Sequence, residues 1–360
     1  MRFPEFKGEW NRGTLGDLLT IKNGKDQKPF EKENSSIPVY GTGGVIGFVD
    51  KPIFTKDSVG IGRKGTIDKP ILLNYPFWTV DTLFYSDIHK GVNRYFLFSL
   101  LQTINWKKLN QSTGVPSLTS KCIETAECSF PNDIEQTKIA SLFELIDKRI
   151  DVQRKIIEEK EQLKRWVNNA CLWNKDFPKV ALNKIIKERN LRTTTVHQYQ
   201  VLSSAVTGLY SQMDYFKHQI SSENDVGYKV VLLNDVVFSP QNLWMGNINF
   251  NESFEIGMVS PSYKVYSVND GFVPFYLSLF LKTARMKYEY SVCSEQGASV
   301  VRRNLNEDEF LQIAIPMPDF KTQAAAAKKL KLIVKTIEIE KQCLEALTKE
   351  KSFLLSNLFI

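Results

Sequence analysis

"FPNDIEQTKIASLFELIDKRIDVQRKIIEEKEQLKRW", residues Phe130–Trp166, is the stretch on which the reading of this chain turns. Pro131 separates it from what precedes. Asp133 is placed to cap a helix, and Gln136 follows three residues later, the spacing of a capping box. Beyond that start, Phe143, Ile146, Ile150 and Ile157 fall at steps of 3, 4 and 7, the a/d seam of a coiled coil. A helix of about 40 residues is ~60 Å long at ~1.5 Å per residue. Alone, such a rod cannot bury its seam.

Its complement lies further along the same chain. A shift of 187 residues carries the seam onto Leu330, Ile333, Ile337 and Leu344, Gln136 onto Gln323 and Ala140 onto Ala327. Pro131-x-Asp133 is echoed loosely by Pro318-Asp319, and the apolar clusters "ACLW" and "LSNLF" close the two rods. The pattern predicts that the two helices bury each other's seams as an antiparallel pair. The rods then act as a spacer, with a globular segment expected at either end.

The segments between the rods, 1–130 and 175–318, read as short strands broken by Gly, Pro and Asn/Asp turns. Ile37–Val49 and Asp57–Ser86 are β-rich, and a helix is expected at Arg94–Thr103. The second segment repeats the order. "KVALNKII" mirrors "GTLGDLLTI", "YKVVLLNDVVFS" mirrors "KDSVGIG", and "GMVSPSYKVYSV" mirrors "FWTVDTLFYSD". A helical stretch at Pro274–Lys287 stands for Arg94–Thr103, and "EQGASVVRRNL" for "STGVPSLT". The chain is one module written twice, with boundaries at 1–130, 131–174, 175–318 and 319–360. The expected class is α+β: two globular mixed β-rich domains separated by a pair of long antiparallel coiled-coil helices, a pseudo-two-fold internal repeat.

Composition agrees with a globular protein of two domains: 360 residues, 42% hydrophobic and 24% charged. No apolar run approaches the ~20 residues of a membrane span, and "MRFPEFKGEW" lacks a signal-peptide core. A cytoplasmic location is expected. Cys122, Cys128, Cys171, Cys293 and Cys343 include no C-x-x-C and are read as free thiols. Net charge is +7, a mild pointer to nucleic acid. The charge is +4 over 1–130, zero over 131–174 and 175–318, and +3 over 319–360. A neutral central rod suits packing against protein better than lying along phosphates.

The ordered set of L-G-D-L, "VYGTGGVIG", "GRKGT", "FWTVDTLF", "TGVPSLT" and "EQTKIASLFELIDKRI", followed by "GMVSPSYKVY", "RRNL" and "IPMPD", resembles the specificity subunits of type I restriction-modification systems. The resemblance runs over essentially the whole length. It implies that 1–130 and 175–318 are target-recognition domains, each reading one half of a split double-stranded DNA site. It also implies partners: two methyltransferase (M) subunits and restriction/translocase (R) subunits that carry out adenine methylation and cleavage. S-adenosylmethionine, ATP and Mg are then expected in those partners, with no cofactor or metal in this chain. One departure is visible. The family's usual Glu-Gln pair at the helix start is Glu135-Gln136 in the centre but Thr322-Gln323 at the end.

Base readout needs Arg, Lys, Asn, Gln, Ser and Thr at groove edges, and glycines where backbone approaches phosphate. In the first module the candidates are Tyr40, Thr42, Gly43 and Gly44, then Arg63 and Lys64, then Thr113, Gly114 and Ser117. Each Gly-rich set also reads as an ordinary hairpin turn, and Trp78 as core. In the second module they are Gln241 and Asn242 beside Trp244, then Ser260 and Tyr263, then Gln296, Ser299, Arg302 and Arg303. The two adjacent arginines suit guanine contact, phosphate anchoring or a plain solvated surface.

Catalytic equipment is thin. His89, His197 and His218 lack metal-site spacing. Neither a Walker loop nor a G-x-G-x-x-G at a strand–helix junction occurs, nor a G-x-S-x-G. "NYPFW" (Asn74–Trp78) only faintly resembles the Asn/Asp-Pro-Pro-aromatic loop of amino-methyltransferases. The chain is therefore read as a non-catalytic DNA-specificity subunit. A coiled-coil scaffold without sequence-specific DNA binding is the alternative, and a standalone nuclease or methyltransferase a third reading.

Overall fold

Two helices dominate the chain, Asp133–Leu172 (40 residues) and Phe320–Leu358 (39 residues). The computed structural model describes residues 2–31, 35–110, 112–216, 224–296 and 302–359. It divides into two compact units, Met1–Ile156 with Glu340–Ile360, and Ile157–Ile339, so each long helix contributes one stretch to each unit.

In the first unit an antiparallel four-stranded sheet has the order Leu19–Lys22, Leu83–Ile88, Ser58–Gly62, Ile71–Leu73. Ser58–Gly62 is fully buried and reads "SVGIG", with glycines where neighbours crowd in. A Cβ on Gly60 would meet three apolar side chains at 3.0–3.3 Å. The helix Arg94–Thr103 covers this sheet, started by Asn93, whose side chain accepts the Tyr95 and Phe96 N–H groups. A second sheet holds the hairpin Ile37–Gly41 and Gly44–Val49, with Trp78–Thr79 parallel to its first strand. Asn11–Thr14 pairs with Glu127–Phe130 and brings the segment's two ends together just before the long helix begins.

The second unit repeats the plan. Its four-stranded sheet runs Ile186–Glu188, Lys264–Val268, Val236–Phe238, Ile248–Phe250, each neighbour antiparallel. Lys179–Ala181 pairs with Ala314–Pro316, again just before a long helix. Its hairpin is Leu202–Ala205 with Gly208–Ser211. The single helical stretch expected at Pro274–Lys287 is instead two helices, Pro274–Leu281 and Ala284–Val292. Thr283 is extended between them (φ −71°, ψ 150°), and its side chain caps the second by accepting from Met286 N–H.

The helix starts show how the repeat is built. Asp133, expected as the cap, is the first helical residue; Asn132 caps instead, with its side-chain oxygen 3.0 Å from the Glu135 nitrogen. Either residue type caps well, and the alignment at 187 decides: Asn132 corresponds to Asp319, which takes the Thr322 N–H at 3.0 Å. Gln136 does not close a capping box. Its amide donates to the Pro131 carbonyl (3.0 Å) and accepts from the Asn93 N–H (3.0 Å). Gln323 does the same with the Pro318 carbonyl (2.8 Å) and the Val273 N–H (2.9 Å). Both glutamines are buried, and each ties a long helix to the start of its unit's covering helix. The preceding residue is where the copies part. Glu135 takes a bidentate pair from Arg2 (2.7 and 2.6 Å), whereas the Thr322 hydroxyl turns back to Asp319 (3.0 Å).

Within the first unit the helices run antiparallel. Ile146 and Ile150 pack on Leu347, with Leu142, Leu344 and Leu354 beside them. Asp147 pairs with Lys351 (2.7 Å), and Gln153 donates to the Glu340 carbonyl (3.1 Å), two positions 187 apart. Of the eight seam residues, Phe143, Ile146, Ile150, Leu330 and Ile337 are buried, and Ile157, Ile333 and Leu344 are half-buried. Phe143 and Leu330 lie in the globular cores, where the seam merges with the first and the second unit respectively. No described helix is long and apolar enough to cross a membrane.

Candidate nucleic-acid interface

In the first unit, Gly62 at the end of its strand pairs with Leu83. The chain leaving Gly62 therefore emerges beside the turn that precedes Leu83, and the Arg63 N–H donates to the Thr82 carbonyl (2.8 Å). A Cβ on Gly62 would lie 1.9 Å from the Thr66 carbonyl oxygen, so only glycine permits this tight loop. On its other side sits the loop before Leu118: Leu118 N–H donates to the Arg63 carbonyl (3.0 Å) and Gly65 N–H to the Pro116 carbonyl (2.9 Å). Arg63, Lys64 and Ser117 line one open cleft of about 280 Å³ with Asn23, Phe84, Thr119 and Ser120. The Arg63 guanidinium lies 5.8 Å from the Phe84 ring centre. Thr113 and Gly114 are exposed on the same loop, which Asn110 shapes by accepting the Ser112 and Ser117 N–H groups.

Tyr40, Thr42, Gly43 and Gly44 lie on the hairpin, with Gly44 at φ +115° closing its turn. The Tyr40 carbonyl accepts from Val80 N–H (3.1 Å), so this hairpin flanks the Val80–Thr82 turn opposite Arg63. Tyr40 itself packs edge-on against Phe77, which gives its ring a core role. Trp78 is buried, its indole N–H on the Lys25 carbonyl (2.8 Å).

The second unit assembles the corresponding loops. Phe238 pairs with Lys264, so the turn of Pro240–Met245 and the Ser260–Tyr263 turn leave the sheet side by side. Gln241 is exposed and Asn242 half-buried on the first; Gly246 (φ +87°) ends it. Ser260 and Ser262 share a hydroxyl contact of 3.2 Å, and burial raises the Tyr263 phenol above its ordinary pKa, keeping it neutral. Ser294–Gln296 pairs with Arg303–Leu305, placing Gln296 opposite Arg303. The Arg303 guanidinium lies 4.2 Å from the Trp244 ring centre, which joins this ribbon to the Gln241–Asn242 turn. Arg302 is exposed next to it. Ser299 and His218 lie outside the described residues. Among those described, no group of three or more His, Cys, Asp or Glu could hold a metal ion.

Three loops thus meet at the same end of the same sheet in each unit, and they carry twelve of the described candidates: Arg63, Lys64, Thr113, Gly114 and Ser117, then Gln241, Asn242, Ser260, Tyr263, Gln296, Arg302 and Arg303. Sequence reasoning missed the residues that shape these loops. Asn110 carries no signal beyond a turn-forming type. Trp244 was marked as a neighbour, but its stack with Arg303 joins positions far apart in the chain.

Residues 7–162 match the family model of the type I restriction modification DNA specificity domain. That segment, a little under half of the chain, carries this family's domain. Among solved structures, a type I restriction-modification S subunit from M. genitalium is similar over 100% of this chain and 99% of its own, at 16% identity and a TM-score of 0.68. A structure described for complex assembly and conformational transition of the type I R-M system covers 98% of each chain at 12% identity, with a TM-score of 0.52. At these identities the likeness is one of fold. None of the curated proteins compared matches the sequence. The specificity domain of 7–162 includes the first unit's three loops and hairpin, and the second unit repeats its sheet order.

Proposed function

We propose that this chain is the DNA specificity subunit of a type I restriction-modification complex, with each unit reading one half of a bipartite double-stranded site. The observation that carries the reading is the repeated convergence of three loops on one sheet end, basic in the first unit at Arg63-Lys64 and in the second at Arg302-Arg303. Backbone pairing fixes the loops, while their exposed side chains are free to face groove edges. On this reading the chain carries out no chemistry itself. Adenine methylation and cleavage belong to methyltransferase and restriction subunits, which would hold S-adenosylmethionine, ATP and Mg. Replacing Arg63 and Lys64 together by Ala should lower the slope of log K against log salt by about two, one per lost phosphate contact. An unchanged slope for the assembled complex favours the scaffold reading.

The partner contact has its own signature. With Phe143 and Ile150 at heptad a and Ile146 at d, six c positions carry large apolar residues, Leu145, Val152 and Trp166 on one helix and Leu332, Ile339 and Phe353 on the other, with Glu159 and Ala346 at the c position between. All six are apolar and exposed, and they correspond in pairs at a shift of 187. The first unit holds Leu145, Val152 and Phe353; the second holds Leu332, Ile339 and Trp166. Two equivalent apolar sets suit two copies of one partner, and we assign them to the two methyltransferase subunits. Leu145→Glu with Val152→Glu should yield a complex lacking one methyltransferase copy by native mass measurement. Retention of both copies contradicts the assignment.

A further inference from the structure

We infer that the hairpin Ile37–Val49 reads thymine methyl groups in the major groove of the first half-site, through Val45, Ile46 and Phe48. The inference rests on the reading of the first unit as a DNA reader. Its outer strand, Gly44–Val49, is "GVIGFV", six residues without a charge, and it is the edge of its sheet, hydrogen-bonded on one side to Ile37–Gly41. Val45, Ile46 and Phe48 are 51%, 60% and 52% exposed. A register shift between Val39 and Tyr40 lets the adjacent Val45 and Ile46 both face outward. An uncharged apolar edge is what soluble proteins usually guard against with lysines, prolines or a covering element. This edge therefore has an occupant.

Duplex DNA is the occupant that the surroundings favour. Next to its tip the hairpin is bonded to the Val80–Thr82 turn, with Val80 N–H donating to the Tyr40 carbonyl, and that same turn carries Arg63 on its other side. The hairpin that ends in the apolar edge and the basic cleft of Arg63 and Lys64 thus flank one turn, with Ile37–Gly41 between that turn and the edge. A two-stranded ribbon fits the major groove, and there the thymine C5-methyl is the one apolar mark on a base edge. Thr42 and Gly43 at the hairpin tip leave the approach to the groove open, since nothing lies within 4 Å of where a Gly43 Cβ would be.

The test uses the assembled methyltransferase complex and its mapped site. Each thymine of the first half-site, on either strand, is replaced in turn by deoxyuridine, which removes only the methyl. At one or more positions the wild-type complex should bind roughly fourfold more weakly, the factor for one buried methyl-sized group. The Ile46→Thr, Phe48→Thr variant should already bind weakly and be indifferent to that replacement. Its salt slope should equal the wild-type slope, because no phosphate contact is lost. Deoxyuridine without effect anywhere in the first half-site overturns the inference. So does a variant that binds DNA normally but fails to assemble with its partner subunits, which would make the edge a protein contact. The Arg63→Ala, Lys64→Ala complex separates the two levels. If its slope falls while deoxyuridine is silent, the ribbon inference fails and the DNA reading stands; if its slope is also unchanged, both fail.

Discussion

Ile150→Asp should destabilise the first unit by at least about 3 kcal/mol, a large part of the ~5–15 kcal/mol that holds an ordinary domain together. Ile150 is 5% exposed and packs with Ile146 against Leu347. The substitution removes a buried apolar side chain and leaves a carboxylate packed among Ile146, Leu347 and Leu344. Ile150→Val, which deletes one methylene, should cost about 1 kcal/mol. Val152→Asp, two residues along on the exposed c position, should stay within ~0.5 kcal/mol. Denaturant unfolding of the three variants gives the order. Equal stability for Ile150→Asp and Val152→Asp would mean that the seam is misassigned.

Replacing Arg302 and Arg303 together by Ala should abolish preference for one half-site and leave the other intact. A good bidentate arginine–guanine contact is worth about 1–3 kcal/mol, so loss of even one weakens cognate binding roughly 5- to 150-fold. Arg303 also gives up its stack on Trp244, 4.2 Å away. Arg303→Lys keeps the charge but loses the planar stack and the fork, and should recover salt dependence without recovering half-site preference. Binding to duplexes with one half-site scrambled at a time reads this out. A double variant that weakens both half-sites equally would show that the two units do not read separately.

The rods were legible because a seven-residue apolar spacing persists through charged sequence, and their pairing because the spacing recurs 187 residues on with Gln136 and Gln323 in register. The cap was misread by one residue because Asn132 and Asp133 are both good caps, and only the bond from Asn132 to the Glu135 N–H separates them. The function of Gln136 was not legible, since its partner Asn93 is set by tertiary packing. The break at Thr283 was hidden inside an apolar run, where a threonine passes for a helical residue until its side chain is seen capping Met286. Several candidates lie in turns, but Tyr40, Gln296 and Arg303 lie on strands, and the meeting of these segments is not visible in the sequence. Strand pairing such as Gly62 with Leu83 and Phe238 with Lys264 brings them together, and no local pattern encodes it. The apolar edge Val45–Phe48 was read only as β-rich, because exposure is a property of the sheet order.

The most direct test of the account is single-base mapping of adenine methylation in DNA modified by the complete methyltransferase complex built on this chain. Two specified stretches separated by a fixed run of unspecified bases are the expected result, with the second stretch alone degraded when the Arg302→Ala, Arg303→Ala chain is used. A single uninterrupted motif, or methylation without sequence preference, would contradict the claim that the two units read two half-sites.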